Sequence, residues 1–128
     1  VEDLNQLKFS PDHFWIRTEG SRAYIGITEY AQLEHGMLLY VELPELNEEI
    51  KRGEYFGNVE SVAGTHDMIA PLSGVTVAIN TRLEKEPHLV NVAPYELGWM
   101  IAIELNASSE LDSLWLAERY LADFGGWD

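Results

Sequence analysis

Glu60-Ser61-Val62-Ala63-Gly64-Thr65-His66-Asp67-Met68-Ile69-Ala70-Pro71-Leu72-Ser73-Gly74 is the stretch that decides how this chain is read. Before it, Tyr55 to Val62 is strand-like; after it, Val75-Thr76-Val77-Ala78-Ile79 puts Val75, Val77 and Ile79 on one face at period two. Ala63-Gly64 supplies a tight turn, because glycine takes a positive φ without a Cβ penalty. The spacing predicts a hairpin with Val62 to Thr65 at its tip and a short return through Asp67-Met68-Ile69-Ala70. Pro71 and Gly74 bracket a second bend. Such a double strand is a rigid mount for the side chain at its tip, and here that residue is alanine.

Upstream, residues 1 to 13 read as an arm with a turn at Ser10-Pro11-Asp12. Phe14 to Glu19 and Arg22 to Ile27, joined by Gly20-Ser21, form a predicted hairpin. Thr28 caps a short helix from Glu29 to His35 that Gly36 closes. Met37 to Leu43 alternates little and predicts a strand covered on both faces, stopped by Pro44. Glu45 to Glu54 is a polar connection with a turn at Lys51-Arg52-Gly53. Asn80 to Gly98 reads mainly as loop, and Met100 to Leu105 as a strand with Trp99, Ile101, Ile103 and Leu105 on one face. Ser108-Ser109 opens a C-terminal helical region with a near capping box to Asp112 and an apolar stripe of Leu111, Leu114, Trp115 and Leu121. The pattern is mostly β, a small sandwich or flattened barrel with helical flanks, in one domain over residues 1–128.

Composition narrows the function classes. The 128 residues are 46% hydrophobic, enough for a core without metal or disulfide support. Eight basic against 22 acidic residues give a formal charge of −14, which argues against nucleic acid and anionic membranes. It suits solubility or docking onto basic partner surfaces. The absence of cysteine removes disulfides, a thiol nucleophile and thiolate metal sites, and agrees with an intracellular address. No apolar run reaches spanning length, and Val1-Glu2-Asp3 does not begin a signal peptide.

No chemistry-bearing constellation stands out. His13, His35, His66 and His88 show no ligand spacing and read as solvated surface residues. His66-Asp67 beside Ser61 or Ser73 lacks a strand–turn–helix elbow. Glu45, Glu48 and Glu49, and Glu84 with Glu86, read as solvated loops rather than a cation site. Trp15, Trp99, Tyr24 and Tyr95 suit core and rim packing. Phe124 and Trp127 either dock on a partner or fold back onto the body, and Gly125-Gly126 is a flexible tail. Neither a metal site nor an enzymatic site is expected.

Several stretches carry a likeness to a known family. Lys51-Arg52-Gly53-Glu54, Asn58-Val59-Glu60-Ser61-Val62 and Ala70-Pro71-Leu72-Ser73-Gly74-Val75 resemble lipoyl and biotinyl carrier domains. More narrowly, the chain resembles the glycine cleavage H-protein family. Lys8-Phe9-Ser10 leading to His13-Phe14-Trp15, Ile25 to Gln32, Val41-Glu42-Leu43-Pro44, Leu89-Val90-Asn91, Pro94 to Trp99 and Ser109-Glu110-Leu111-Asp112 fall in the family's order. The resemblance implies a barrel-sandwich hybrid, two small antiparallel sheets face to face. It also implies a non-enzymatic carrier whose lysine-bound lipoate moves an aminomethyl group among glycine decarboxylase, aminomethyltransferase and dihydrolipoamide dehydrogenase. The implied location is the bacterial cytoplasm, or the mitochondrial matrix in a eukaryote.

The likeness breaks at the arm. The family pattern Glu-Ser-Val-Lys-Ala stands here as Glu60-Ser61-Val62-Ala63-Gly64, and Ala63 has no amine to form an amide with lipoate. Lys8, Lys51 and Lys85, the only lysines, lie outside the tip. At the cleft that receives the loaded arm in the family, Phe14 replaces an acidic residue and Glu34 a histidine, while Asp67 is retained. Phe14, exposed there, would offer an apolar contact. The expectation is an H-protein-like module with a degenerate lipoyl site at Ala63 and no cofactor. It would act as scaffold, decoy or regulator toward glycine-cleavage proteins or a lipoate ligase. The alternative is the ordinary lipoyl carrier with its lysine at 63 replaced.

Overall fold

The computed structural model describes residues 3–125, so Trp127 and Gly126 lie outside the described residues. Seven strands form one antiparallel sheet. They are β1 (Lys8–Phe9), β2 (Phe14–Glu19), β3 (Arg22–Ile27), β5 (Glu49–Ile50), β8 (Gly74–Ile79), β9 (Ile101–Leu105) and β10 (Trp115–Leu116), in the order β10-β1-β2-β3-β9-β8-β5. The second sheet holds β4 (Leu38–Glu42), β6 (Tyr55–Ser61) and β7 (Gly64–Ile69), in the order β4-β6-β7. The helices are α1 (Glu29–His35), α2 (Leu89–Val92) and α3 (Ala117–Phe124). This is the expected mostly-β, two-sheet architecture with a short helix and a C-terminal helical region.

The core between the sheets is apolar, with Ile16, Ile25, Phe56, Val59, Leu72, Val90, Ile101 and Ile103 all buried. A second cluster, Leu7, Phe9, Trp15, Ala117 and Tyr120, fixes α3 to the outer end of the larger sheet. Trp15 shows how closely the pieces fit. Its indole N–H donates to Pro94 O at 2.9 Å, and its ring lies over Gly26, its cross-strand partner. A side chain at Gly26 would collide with the indole, which is why glycine stands mid-strand. Tyr24, Tyr95 and Trp99 pack around the same cluster, the structural role expected of them.

Some boundaries match the sequence reading. The β2–β3 hairpin and α1 fall where turn and cap residues put them, with Thr28 Oγ1 accepting Ala31 N–H and Gly36 at φ +77°. Elsewhere tertiary pairing overrides local pattern. The supposed arm contains β1, paired on both sides. The polar connection contains β5, paired with β8. Met37 to Leu43 is not covered on both faces: β4 is a sheet edge with Leu39 57% and Tyr40 49% exposed. In β8 a bulge between Thr76 and Ala78 breaks the alternation, leaving Val75, Val77 and Ile79 half-buried and Thr76 inside.

The C-terminal helical stripe is also corrected. Ser108–Ser113 is a 3-10 turn without a side-chain cap, so the capping box does not form. Trp115 belongs to β10, and only Ala117–Phe124 is α-helical. Strand pairing of Trp115 with Phe9 outcompetes the helical periodicity. Phe124 folds back onto the body beside His13 and Tyr30.

Gly57 of β6 faces the backbone carbonyl of Glu42 so closely that an added Cβ would overlap it. Gly57→Ala is therefore expected to lower the unfolding free energy by about 1–3 kcal/mol, the usual range for overpacking. Urea denaturation would measure it, with Gly20→Ala, in open space at φ +64°, costing only its left-handed backbone penalty of about 1–2 kcal/mol.

Candidate functional site

The hairpin β6–β7 ends in a loop of only Val62 and Ala63, because Ser61 and Gly64 are still paired. The return is therefore a full strand rather than the short segment expected. Ser61 is buried, and its hydroxyl accepts Ala63 N–H at 3.1 Å. Gly64, at φ +123°, supplies the positive φ the turn needs. Val62 is 71% exposed, and Ala63, Gly64 and Glu60 are exposed beside it. The tip is braced from one side: Val62 N–H donates to Met37 O at 3.3 Å, and the Val62 side chain lies against Gly36. Residue 63 thus lies exposed at the tip of a stiff base.

At the side of this hairpin lies a cleft of about 580 Å³. Phe14, Glu34 and Asp67, far apart in sequence, all line it. Their roles differ from expectation in one respect. Phe14 is 3% exposed and packs on Phe56 with ring centroids 5.7 Å apart. It cannot offer an exposed apolar contact; it belongs to the cleft's floor, pulled inward as the first residue of β2. Glu34 and Asp67 remain exposed.

The histidines are the larger correction. His13, His35 and His66 are not solvated surface residues: all three are partly buried and line this one cleft, while His88 stays exposed. The His35 and His66 rings stand 4.3 Å apart between centroids, and His66 Nε2 is buried with no hydrogen-bond partner. Burial is the main reason the His35 pKa is lowered, with the neighbouring His66 adding to it and Glu34 opposing. No spacing rule could have grouped them, since they come from the turn before β2, the end of α1 and the middle of β7. Among the described residues, no group of three or more His, Asp or Glu is placed to hold a metal ion. The acidic loops stay solvent-facing: Glu48 accepts Glu45 N–H, and Glu86 pairs with Arg82 at 3.0 Å.

Asn91, within the Leu89-Val90-Asn91 stretch, is a positioning residue to which the sequence pattern assigns no role. From α2 its amide donates to Gln32 Oε1 at 2.9 Å and to Gly36 O at 2.8 Å. Its carbonyl accepts Leu38 N–H at 2.9 Å. One side chain thus ties the end of α1 to the start of β4 and sets the cleft wall against the hairpin tip.

Position 63 does not fit lipoate, because a methyl side chain has no amine to acylate. Lys8 lies in β1, Lys51 in the turn before β6 and Lys85 after a 3-10 turn, so none replaces it at the tip.

Comparison with known proteins covers nearly the whole chain. A family profile described as "Glycine cleavage H-protein" matches residues 7–124. The chain is 48% identical over 122 residues to a "Glycine cleavage system H protein" of Brevibacillus brevis, covering 95% of this chain and 97% of that one. It is 47% identical over 116 residues to the protein of the same description from Staphylococcus haemolyticus, covering 91% and 92%. Among solved structures, the crystal structure of a glycine cleavage system H protein from Mycobacterium marinum superposes with a TM-score of 0.85 at 33% identity. That match covers 95% of this chain and 98% of the other.

Two measurements test the cleft. Asn91→Ala strands three partly buried partners and is expected to cost about 2–3 kcal/mol in denaturant unfolding; a loss near zero would show that water replaces the amide. For His35, the folded-state pKa lies below its ordinary 6.5. Its contribution to stability is therefore complete above 6.5 and is lost as pH falls through the folded value. His35→Asn should flatten part of the acid limb of unfolding free energy against pH.

Proposed function

This chain belongs to the glycine cleavage H-protein family, whose members are non-catalytic carriers, and from that premise we propose that it takes the H protein's docking place in glycine cleavage. The observation that carries this is the register of β6 and β7, which sets residue 63 at an exposed tip beside a cleft containing Phe14, Glu34 and Asp67. The proposed partners are glycine decarboxylase, aminomethyltransferase, dihydrolipoamide dehydrogenase and a lipoate ligase. The proposed contact surface is the tip, Glu60 to Gly64, with residues 1–128 acting as one domain.

Charge placement supports docking onto basic surfaces. The elements around the tip, α1, β4, β6 and β7, hold Glu29, Glu34, Glu42, Glu60 and Asp67 and no lysine or arginine. Exposed Leu33, Met37, Leu39 and Val62 lie among them. Exposed apolar side chains interspersed with carboxylates favour a Lys- and Arg-rich partner surface, and they disfavour a second copy of this one.

Two readings differ only in the arm. Near-50% identity over almost the full length favours the carrier's own role, which requires lysine at 63. With Ala63 in place, this chain docks without cargo and competes with lysine-bearing H protein, as a scaffold, decoy or regulator would. The codon for residue 63 in the source gene separates the two: a lysine codon restores the carrier.

The docking surface itself is tested by Ala63→Lys incubated with a lipoate ligase and read by intact mass. A gain of one lipoyl group is the expected result, and an unmodified protein would overturn the proposed ligase recognition. The unsubstituted chain should inhibit aminomethyl transfer to a lysine-bearing H protein competitively, and less strongly as salt is raised.

A further inference from the structure

His13 sits where three elements meet. Its backbone is left-handed, at φ +74°. Its ring packs on Tyr30 of α1 at 4.5 Å and edge-on against Phe124 of α3 at 4.6 Å between centroids. Nδ1 lies 2.8 Å from the Tyr120 hydroxyl of α3, which lies 2.7 Å from Thr28 Oγ1. Tyr120 and Thr28 are both 0% exposed, so neither hydroxyl can turn to water.

The protons in this chain can be counted. Thr28 Oγ1 already accepts Ala31 N–H as the cap of α1. Thr28 then donates to the Tyr120 oxygen, and Tyr120 donates to Nδ1 of a neutral imidazole carrying its proton on Nε2. Every hydroxyl proton is used. A proton on Nδ1 upsets the count, because His13 must now donate to Tyr120. Whether Tyr120 turns to Thr28 or stays, one buried hydroxyl proton is left without an acceptor.

We propose that His13, Tyr120 and Thr28 form a proton-sensitive latch, holding α3 against the cleft wall while His13 is neutral and loosening it when His13 is protonated. The helix is suited to such control. It has eight residues and no side-chain N-cap, and its inner face rests on Tyr120 stacked against Phe9 at 4.6 Å and on the Phe124 contacts. The effect reaches the cleft because His13 lines it and Thr28 caps the helix that walls it. None of this depends on the docking role or on residue 63.

The surrounding charges set the direction. Asp12 on the same turn and Glu34 from α1 favour a charged His13; burial outweighs both and lowers its pKa from the ordinary 6.5. His35, further along α1, adds mutual repulsion when charged. Tyr30 and Tyr120 face the ring, and burial pushes the Tyr120 pKa upward, so its proton stays available throughout. The latch is therefore closed above pH 6.5 and opens as pH falls through the lowered value.

Amide exchange in the full chain tests this, read as protection factors so that the chemical dependence on pH is removed. Protection of residues 117–124 should fall, by up to about tenfold per pH unit, below about pH 6.5, while that of β6 and β7 holds. The midpoint should coincide with the His13 imidazole titration followed by NMR. Tyr120→Phe keeps the ring and removes the relay, so its α3 protection should lose this dependence; His35→Asn should retain it. A flat wild-type profile, a midpoint away from the His13 titration, or an unchanged slope in Tyr120→Phe would each overturn the latch. The wild-type series decides the matter even if a variant fails to fold.

Discussion

The ladder of backbone hydrogen bonds between β6 and β7 is the constraint on which the rest depends. It runs to Ser61 and Gly64, leaving two residues to turn the chain. A longer loop would let the tip wander; this one fixes position 63 relative to the sheet and to the cleft at the hairpin's side. The stiffness extends outward because Gly57 lets β4 approach β6 closely, and because Met37 and Gly36 brace Val62.

From that base the cleft assembles through polar ties. Asn91 reaches from α2 to close the junction of α1 and β4. The relay of Thr28, Tyr120 and His13 joins the other end of α1 to α3. The helix that walls the cleft is thus held at both ends by buried or partly buried side-chain hydrogen bonds, which are directional and easily upset by one proton or one truncation. Between those ends stand three histidines and three carboxylates, Asp12, Glu34 and Asp67. Partial burial keeps His13 and His35 biased toward their neutral forms. The wall is a titratable surface carried on a rigid hairpin.

How much could be read beforehand varies with the range of the interaction. The β2–β3 hairpin and α1 were legible because glycine, threonine and Gly36 act within a few residues. Phe14, Glu34 and Asp67 were grouped through resemblance alone, since no local pattern links them, and in the structure they line one cleft. The burial of Phe14 was not, since its inward direction follows from packing on Phe56. The gathering of His13, His35 and His66 was not legible either, because only the crossing of a turn, a helix end and a strand creates it. Trp115 misled because its helical spacing is real, yet pairing with Phe9 decides its conformation.

The sequence by itself determined the mostly-β fold, the site of the hairpin turn, the caps of α1, the acidic character of the chain and the absence of an amine at position 63. Those are matters of local backbone preference, charge count and covalent chemistry, which need no neighbours. Tertiary structure decided which strands are edges, which aromatic residues turn inward, which histidines share a cleft, and that α3 is latched through Tyr120. These depend on distances between residues remote in the chain, and such distances exist only once the two sheets have closed over their common core.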